Sequence, residues 1–384
     1  MNIDWHSQES HIFINPRTPN FEKNKLYSII EKHQLKSHIF IATSGSTATQ
    51  STDIKWVALK KSSFLISAQA VNSHLNCTKN DIFLNTLPHF HVGGLAMFAR
   101  VQVCGAKIID IYNENSKWNA LQYVEQLENY KITISSLVPT QVFDLVKNNC
   151  KAPVTLRAIV VGGGNLSHEL FLQAQKLNWP LLPSYGMTEC CSQIATALPN
   201  CSWNSNHAEL TVLPHMHVSI SSEGKIQIAG ESLLTGYILQ TENESNFMDP
   251  KIEDKIITSD VGELKNNKLF IYGRNDENIK INGENVSLLR LQAILEQAAK
   301  KAHLKTDCAV IAMPEARQGQ KIVLVFCQTL DMKLEDKNIN STVANFNELV
   351  FPFERSKEVY FVDEIPRTEL GKLKRNLITK MIKT

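Results

Sequence analysis

The sequence predicts an α/β fold: a large N-terminal domain of mixed sheets and helices over residues 1–273, and a small α+β domain over 274–384. Three observations carry this. Between residues 39 and 182, short apolar runs alternate with segments of helical spacing, the pattern of a largely parallel sheet. From about Val212 the texture changes to alternation with a period of two. A polar stretch, Gly273-Arg274-Asn275-Asp276-Glu277, then precedes a remainder that returns to helix and strand.

Taken in order, residues 1–37 read as a short leader with one helical pattern over 21–33, where Leu26, Ile29 and Ile30 share a face. Ile39-Phe40-Ile41 is a buried strand that drops into Thr43-Ser44-Gly45-Ser46-Thr47 and a polar segment ending at Lys55. Small hydroxyl residues and close backbone N–H groups form a nest for an anion such as a triphosphate, and a nearby lysine adds charge. A polar surface turn competes with that reading, and the stretch lacks the Gly-Lys-Ser/Thr of a Walker loop.

Helix follows over 64–75, strand over 81–87, and Pro88-His89-Phe90-His91-Val92-Gly93-Gly94-Leu95 as a turn opening into a helix over 96–103. Strands over 106–111, 132–137 and 156–161 alternate with helices over 118–128, 139–146 and 167–177. A short strand over 179–182 ends at Pro183-Ser184-Tyr185-Gly186-Met187-Thr188-Glu189. Ligands of α/β sheets sit at the carboxyl ends of strands, so loops at 43–47, 162–164 and 184–189 can address one ligand. Beyond 212, short β segments over 256–258 and 268–272 flank Ser259-Asp260-Val261-Gly262. The remainder has a helix over 288–299, strands over 309–312 and 322–327, a further apolar stretch and a basic tail.

Composition narrows the class. With 384 residues, 43% hydrophobic and 20% charged, the chain is an ordinary globular protein large enough for two domains. Lys+Arg 40 against Asp+Glu 38 leaves a net charge of +2, too balanced for a nucleic-acid binder. Eight cysteines without a Cys-x-x-Cys pair favour a reducing compartment. MNIDWHSQES lacks the apolar core of a signal peptide, and no run of about 18 apolar residues suggests a transmembrane helix. A cytoplasmic location is expected.

Five ordered stretches resemble the adenylate-forming superfamily of acyl- and aryl-CoA ligases, peptide-synthetase adenylation domains and luciferases. They are TSGST at 43–47, YGMTE at 185–189, TSDVGEL at 258–264, YGRNDENIKINGENV at 272–286 and PRTELGKLKRNLI at 366–378. The resemblance implies ATP, Mg²⁺ and CoA as cosubstrates and cofactor, and a small-molecule carboxylic acid as partner. The acid attacks the ATP α-phosphate to give an acyl-adenylate, and a thiol then displaces AMP; charge neutralisation and positioning dominate the first step.

Residue by residue, it implies that Thr43, Ser44, Gly45, Ser46 and Thr47 hold the β- and γ-phosphates, with Lys55 the best match for the loop lysine. Thr188 would contact the α-phosphate and Glu189 would bind Mg²⁺. Gly163, Gly164, Tyr185 and Gly186 would line the nucleotide, with Tyr185 stacked on adenine. Asp260 and Arg274 would take the ribose, Asp276 would be the hinge of a mobile C-terminal domain, and Lys372 would reach over the α-phosphate. Gly283 and Glu284 would present to the CoA tunnel. A solvated acid, a core tyrosine, a turn-capping Asp and a merely basic tail are the ordinary alternatives for Glu189, Tyr185, Asp260 and Lys372.

The segments 87–94, 135–141 and 190–196, with Arg100, look most like the o-succinylbenzoate–CoA ligase branch of that superfamily, whose substrate carries two carboxylates. An arginine inside the apolar run LAMFARVQV is costly to bury unpaired. It is assigned to the non-reacting carboxylate, helped by Ser136, Ser192 and Gln193, with snorkelling to the surface as the competing reading. His91 would line the pocket near the reacting carbonyl, against a satisfied structural histidine. Two departures stand out: Ala48 replaces the usual loop glycine and the following proline is absent, and the segment before the loop is short for the superfamily. A ligase for another acid, a degenerate nucleotide binder, or delivery to a carrier protein are the rival functions.

Overall fold

The computed structural model describes residues 3–16, 23–43, 54–115, 117–164, 166–199, 203, 207–240, 245–274, 278–281, 284–315, 319–328, 332–368 and 371–382. They divide into two compact units, Met1–Thr258 with Gly262–Ile271, and Ser259–Val261 with Tyr272–Thr384.

In chain order the elements begin with β1 (His11–Phe13), α1 (Lys23–Lys32), β2 (His38–Thr43), β3 (Ile54–Lys60), α2 (Lys61–His74), β4 (Ile82–Asn85) and α3 (Val92–Cys104). Next come β5 (Lys107–Asp110), α4 (Ala120–Asn129), β6 (Ile134–Leu137), α5 (Pro139–Lys147), β7 (Ala158–Val161), α6 (His168–Lys176) and β8 (Leu181–Met187). A 3-10 turn, Thr188–Cys190, leads to β9 (Ser192–Thr196), β10 (Leu210–Val212), β11 (Met216–Ile220), β12 (Lys225–Gly230), β13 (Gly236–Gln240) and β14 (Ser245–Met248). Then follow β15 (Ile256–Lys265), β16 (Lys268–Arg274), β17 (Asn278–Ile281), β18 (Glu284–Ser287), α7 (Leu288–Lys301), β19 (Cys308–Glu315), β20 (Gly319–Cys327), α8 (Met332–Leu349), β21 (Val359–Val362) and α9 (Arg375–Met381).

The main sheet has 11 strands in the order β11-β12-β15-β16-β10-β9-β8-β7-β6-β4-β5. From β5 to β8 it is parallel. Every residue of β6 and β7 is buried, as expected of strands covered on both faces. Alternate side chains divide between two cores. Leu84, Leu137, Ile159, Val161 and Leu181 pack under Tyr123, Leu127, Val142, Leu145 and Phe171 of α4, α5 and α6. Phe83, Ile134, Val160 and Leu182 pack under Val71 of α2 and Met97 of α3.

Local chemistry sets the ends of these helices. Asn119 Oδ1 accepts from the Gln122 N–H at 3.0 Å and Ser167 Oγ from the Leu170 N–H at 3.2 Å, both N-caps. Gly105, at φ 70°, closes α3 in the left-handed region. The strand order gives the sheet a switch point: β4 lies between β5 on one side and β6 on the other. A crevice at the carboxyl ends of β4 and β6 is where an open α/β sheet takes its ligand, and residues 86–91 and 138–139 leave the sheet there.

A second sheet of 5 strands, ordered β1-β2-β3-β13-β14, carries β2 and β3 as an antiparallel pair in which Thr43 faces Lys55. In the second unit, β19, β20 and β21 form a three-stranded sheet. Its faces are covered by Leu291 and Leu295 of α7 with Phe346 of α8, and by Ile378 of α9.

Four expectations are corrected. Residues 184–187 are not a loop: β8 runs on to Met187 because its second half pairs antiparallel with β9 after its first half has paired parallel with β7. Ser259-Asp260-Val261-Gly262 lies inside the single strand β15 rather than between two segments. Residues 332–349 are the helix α8, and β1, inside the expected leader, pairs parallel with β2. Among the described residues no helix is long and apolar enough to cross a membrane, and the described cysteines are free.

Candidate active site

Glu189 sits in the 3-10 turn after β8, 8% exposed. Its position is set by a bulge, since the β8–β9 register shifts between Tyr185 and Gly186. A Cβ on Gly186 would stand 1.9 Å from the Ser192 carbonyl oxygen, so only glycine lets the strands approach this closely. The chain reverses through Cys191 (φ 53°) and Ser192 (φ 106°), a strained turn beside the buried carboxylate.

Two donors converge on Glu189 Oε1. The Tyr237 hydroxyl donates to it at 2.8 Å, and Lys55 Nζ stands 3.7 Å away. Lys55 Nζ also lies 4.2 Å from the centroid of the Tyr237 ring. The strands explain this: Lys55 faces Leu239 across β3 and β13, so Tyr237, two residues back, is its diagonal neighbour on the same face. Burial, then the negative Glu189, push the Tyr237 phenol well up, so it keeps its proton and donates.

Thr43 opposes Lys55, bringing the end of β2 to the same place. The Thr43 side chain and Ser44, Gly45, Ser46 and Thr47 lie outside the described residues. The donor set fits Mg²⁺, which is held by one or two carboxylates with substrate phosphates and water rather than by a protein cage. Glu189 is a buried carboxylate whose Oε2 has no bond among the described residues, and those residues contain no cluster of three metal-ligating side chains.

A second cluster surrounds Arg100 of α3, 2% exposed, which excludes snorkelling. Its Nη2 donates to Gln193 Oε1 of β9, Nη1 lies 3.5 Å from Met97 Sδ, and Nε has no partner. Gln193 Nε2 donates in turn to Thr196 Oγ1 at 2.5 Å. Ser136 Oγ of β6 lies 3.2 Å from the same Met97 Sδ. Burial lowers the Arg100 pKa to about 10, which leaves it cationic at neutral pH. Among the described residues no carboxylate pairs with it, so this is a buried charge with neutral partners.

The switch-point turn carries His91, the residue before α3, its ring 4.7 Å from Phe90. Gly94 lets this helix start against the turn: a Cβ there would meet the Pro88 carbonyl at 2.4 Å. His89 Nε2 stands 2.8 Å from Asp110 Oδ2, off the line of a directed hydrogen bond. Gly163 takes φ 77° in the loop after β7, beside Ser184, whose Oγ donates to Val161 O at 3.2 Å. Tyr185, Gly186 and Ser192 lie on β8 and β9, and Thr188 opens the turn that carries Glu189.

In the second unit Lys372 is exposed, in a loop held by its own backbone: Thr368 N–H donates to Lys372 O at 2.7 Å and Gly371 takes φ 78°. Arg367 anchors that loop, donating to Gly371 O at 3.0 Å and forking onto Asp307 at 2.8 and 2.9 Å. Asp260 lies on β15. Arg274 ends β16 and Glu284 opens β18, but their side chains, with Asp276 and Gly283, lie outside the described residues.

The structure therefore joins Lys55 to Glu189 and Arg100 to Gln193, with Ser136 reached through Met97. Tyr237 and Met97 were not singled out from the sequence. Tyr237 acts 48 residues from Glu189 through a register that no local pattern announces; Met97, one helical turn before Arg100, was within reach of helical spacing.

A parallel sheet with a switch point and a buried carboxylate at the end of one of its strands is the frame of a ligand-handling α/β enzyme, and the model of the AMP-binding enzyme family matches residues 20–238. The chain belongs to that family. By class it is an AMP-binding enzyme. Among its relatives, the 2-succinylbenzoate–CoA ligase of Staphylococcus epidermidis is 26% identical over 363 residues, 91% of this chain and 72% of that protein. The protein of the same name from Staphylococcus aureus is 27% identical over 346 residues, 87% of this chain and 65% of its own length. The fold is that of O-succinylbenzoate coenzyme A synthetase from Bacillus subtilis with ATP and magnesium ion (TM-score 0.72, 22% identity, 89% of this chain and 69% of that one). It equally matches McyG A-PCP with phenylalanyl-adenylate (TM-score 0.73, 20% identity, 89% and 66%).

Proposed function

We propose that this protein adenylates o-succinylbenzoate and transfers it to CoA, giving o-succinylbenzoyl-CoA, AMP and pyrophosphate, as menaquinone biosynthesis requires. The observation that carries the substrate is Arg100: a buried cation with a neutral partner and a free Nε calls for an anion that arrives with the substrate. A second carboxylate on the acid supplies it, with Ser136, Ser192 and Gln193 completing the polar end of the pocket. His91, at the switch point, lines the side nearer the reacting carboxylate.

In this reading Thr43, Ser44, Gly45, Ser46, Thr47 and Lys55 hold the β- and γ-phosphates. Thr188 takes the α-phosphate, and Glu189 is the protein ligand of Mg²⁺, which neutralises phosphate charge when bound. Gly163, Gly164, Tyr185 and Gly186 receive the base and Asp260 and Arg274 the ribose. Lys372 neutralises charge on the α-phosphate during adenylation. Reorientation about Asp276 then presents Gly283 and Glu284 for the thiol step.

The test is pyrophosphate release with o-succinylbenzoate, ATP and Mg²⁺, with and without CoA, in wild type and Arg100→Met. Losing one side of a buried charge pair costs about 2–5 kcal/mol, so kcat/KM for o-succinylbenzoate should fall at least about 30-fold. A monocarboxylic analogue should lose little. An equal loss with both acids, or no acid-dependent release by wild type, sinks the assignment.

A further inference from the structure

The acceptors around Arg100 are neutral. Nη2 donates to Gln193 Oε1, and Nη1 lies 3.5 Å from Met97 Sδ, a weak acceptor. The Cys77 thiol, whose field Arg100 feels, is pushed up to about 11 by burial and keeps its proton. A guanidinium carries donors and no acceptor, so the Gln193 amide must turn its oxygen to Arg100 and its NH2 away. Thr196 Oγ1 receives that NH2 at 2.5 Å, and among the described residues the NH2 has no other acceptor.

The register explains why these two side chains meet. Residues three apart on a regular strand point to opposite faces. Gly186 pairs with Gln193 and Tyr185 with Ala195, so Ile194 is the extra residue of a bulge and the alternation shifts by one. Gln193 and Thr196 then share a face, and both are buried. Building on the assignment of Arg100 to the second carboxylate, we propose that Thr196 is the positioning residue for that end of the site. It anchors the Gln193 amide with its oxygen on Nη2, so that Arg100 is aimed without being neutralised. A carboxylate at 193 would fill the same space, accept from both Arg100 and Thr196, and satisfy the cation within the protein. The amide leaves that charge for the acid. Specificity for a dicarboxylic acid thus rests on a neutral clamp, which holds Arg100 still yet bonds it more weakly than an incoming carboxylate does.

The test compares KM and kcat for o-succinylbenzoate and for a monocarboxylic analogue, read by pyrophosphate release, with thermal melts of each variant. Thr196→Val keeps the shape and removes the acceptor. It should raise KM for the dicarboxylic acid about 5-fold relative to the analogue. Its kcat should change little, because the lost binding is remote from the reacting group. Thr196→Ser, which keeps the hydroxyl, should restore the wild-type KM ratio even where the lost methyl lowers the melting midpoint. Gln193→Glu should raise KM for the dicarboxylic acid about 10-fold or more and raise the midpoint, since the cation is then paired internally. If Thr196→Ser behaves as Thr196→Val does, or Thr196→Val affects both acids alike, Thr196 only packs and the clamp is wrong. Should Thr196→Val fail to fold, Gln193→Glu decides, and an unchanged KM for the dicarboxylic acid overturns the clamp. In each of these cases Arg100 keeps its assignment as long as Arg100→Met separates the two acids. If Arg100→Met does not separate them, the assignment and the clamp fall together.

Discussion

At the residue scale the Arg100 argument has a counterpart in His215, which is buried with both ring nitrogens unpartnered among the described residues. Desolvation lowers its pKa to about 4, against about 6.5 in the unfolded chain. A lowered histidine is neutral when folded, so the unfolded chain takes up the extra proton. Stability is therefore full above pH 6.5 and declines as pH falls from there through 4, by about 3 kcal/mol in all. His38, also lowered by burial, pushes in the same direction. His215→Leu isolates the effect: it should change stability little at pH 7.5 and flatten the acid-side loss. Parallel pH profiles of the thermal midpoint for the two proteins would refute it.

At the element scale the β8–β9 pair controls where Glu189 points. Alanine at 186 would drive a methyl into the Ser192 carbonyl; overpacking of this kind costs about 3 kcal/mol and forces the two strands apart. Gly186→Ala should lower the unfolding midpoint and reduce Mn²⁺ affinity together, whereas a midpoint change with intact metal binding would show that the bulge does not aim the carboxylate. This pair also shows what the sequence discloses. β4 and β7 were legible because strands buried on both faces are near-continuous apolar runs, and β6, ISSL, from its place in the alternation of strand and helix. β8 was read too short because Pro183 and Gly186 are breakers by local rule, and its continuation depends on β9, which only tertiary pairing supplies. Ser259-Asp260-Val261-Gly262 was read as lying between two strands for the same reason, although it is inside β15, where a Cβ on Gly262 would meet the Phe270 carbonyl oxygen at 2.3 Å. Arg100 was legible because a lone charge in an apolar helix is a local anomaly. The orientation of Lys55 was not, since it follows from the register of three strands brought together from 38–60 and 236–240.

At the scale of the whole molecule, the groups assigned to the two half-reactions are divided between units. Arg100, Gln193 and Glu189 belong to the first; Asp260, Lys372 and β18 belong to the second. The Arg367–Asp307 fork ties the Lys372 loop to the start of β19, so the lysine is carried by a fixed platform and not by a loose tail. If that platform serves adenylation alone, Lys372→Ala should depress acid-dependent pyrophosphate release by about 10²–10³-fold, the usual cost of removing one group that stabilises developing charge. The same variant, given preformed o-succinylbenzoyl-adenylate and CoA, should make thioester at a rate within a few-fold of wild type. Arg367→Ala should lower adenylation less than Lys372→Ala does, because the lysine remains but its loop is released, and it too should spare the thiol step. Equal loss in both half-reactions would mean that Lys372 supports binding of the adenylate itself, and the division of labour between the units would have to be abandoned.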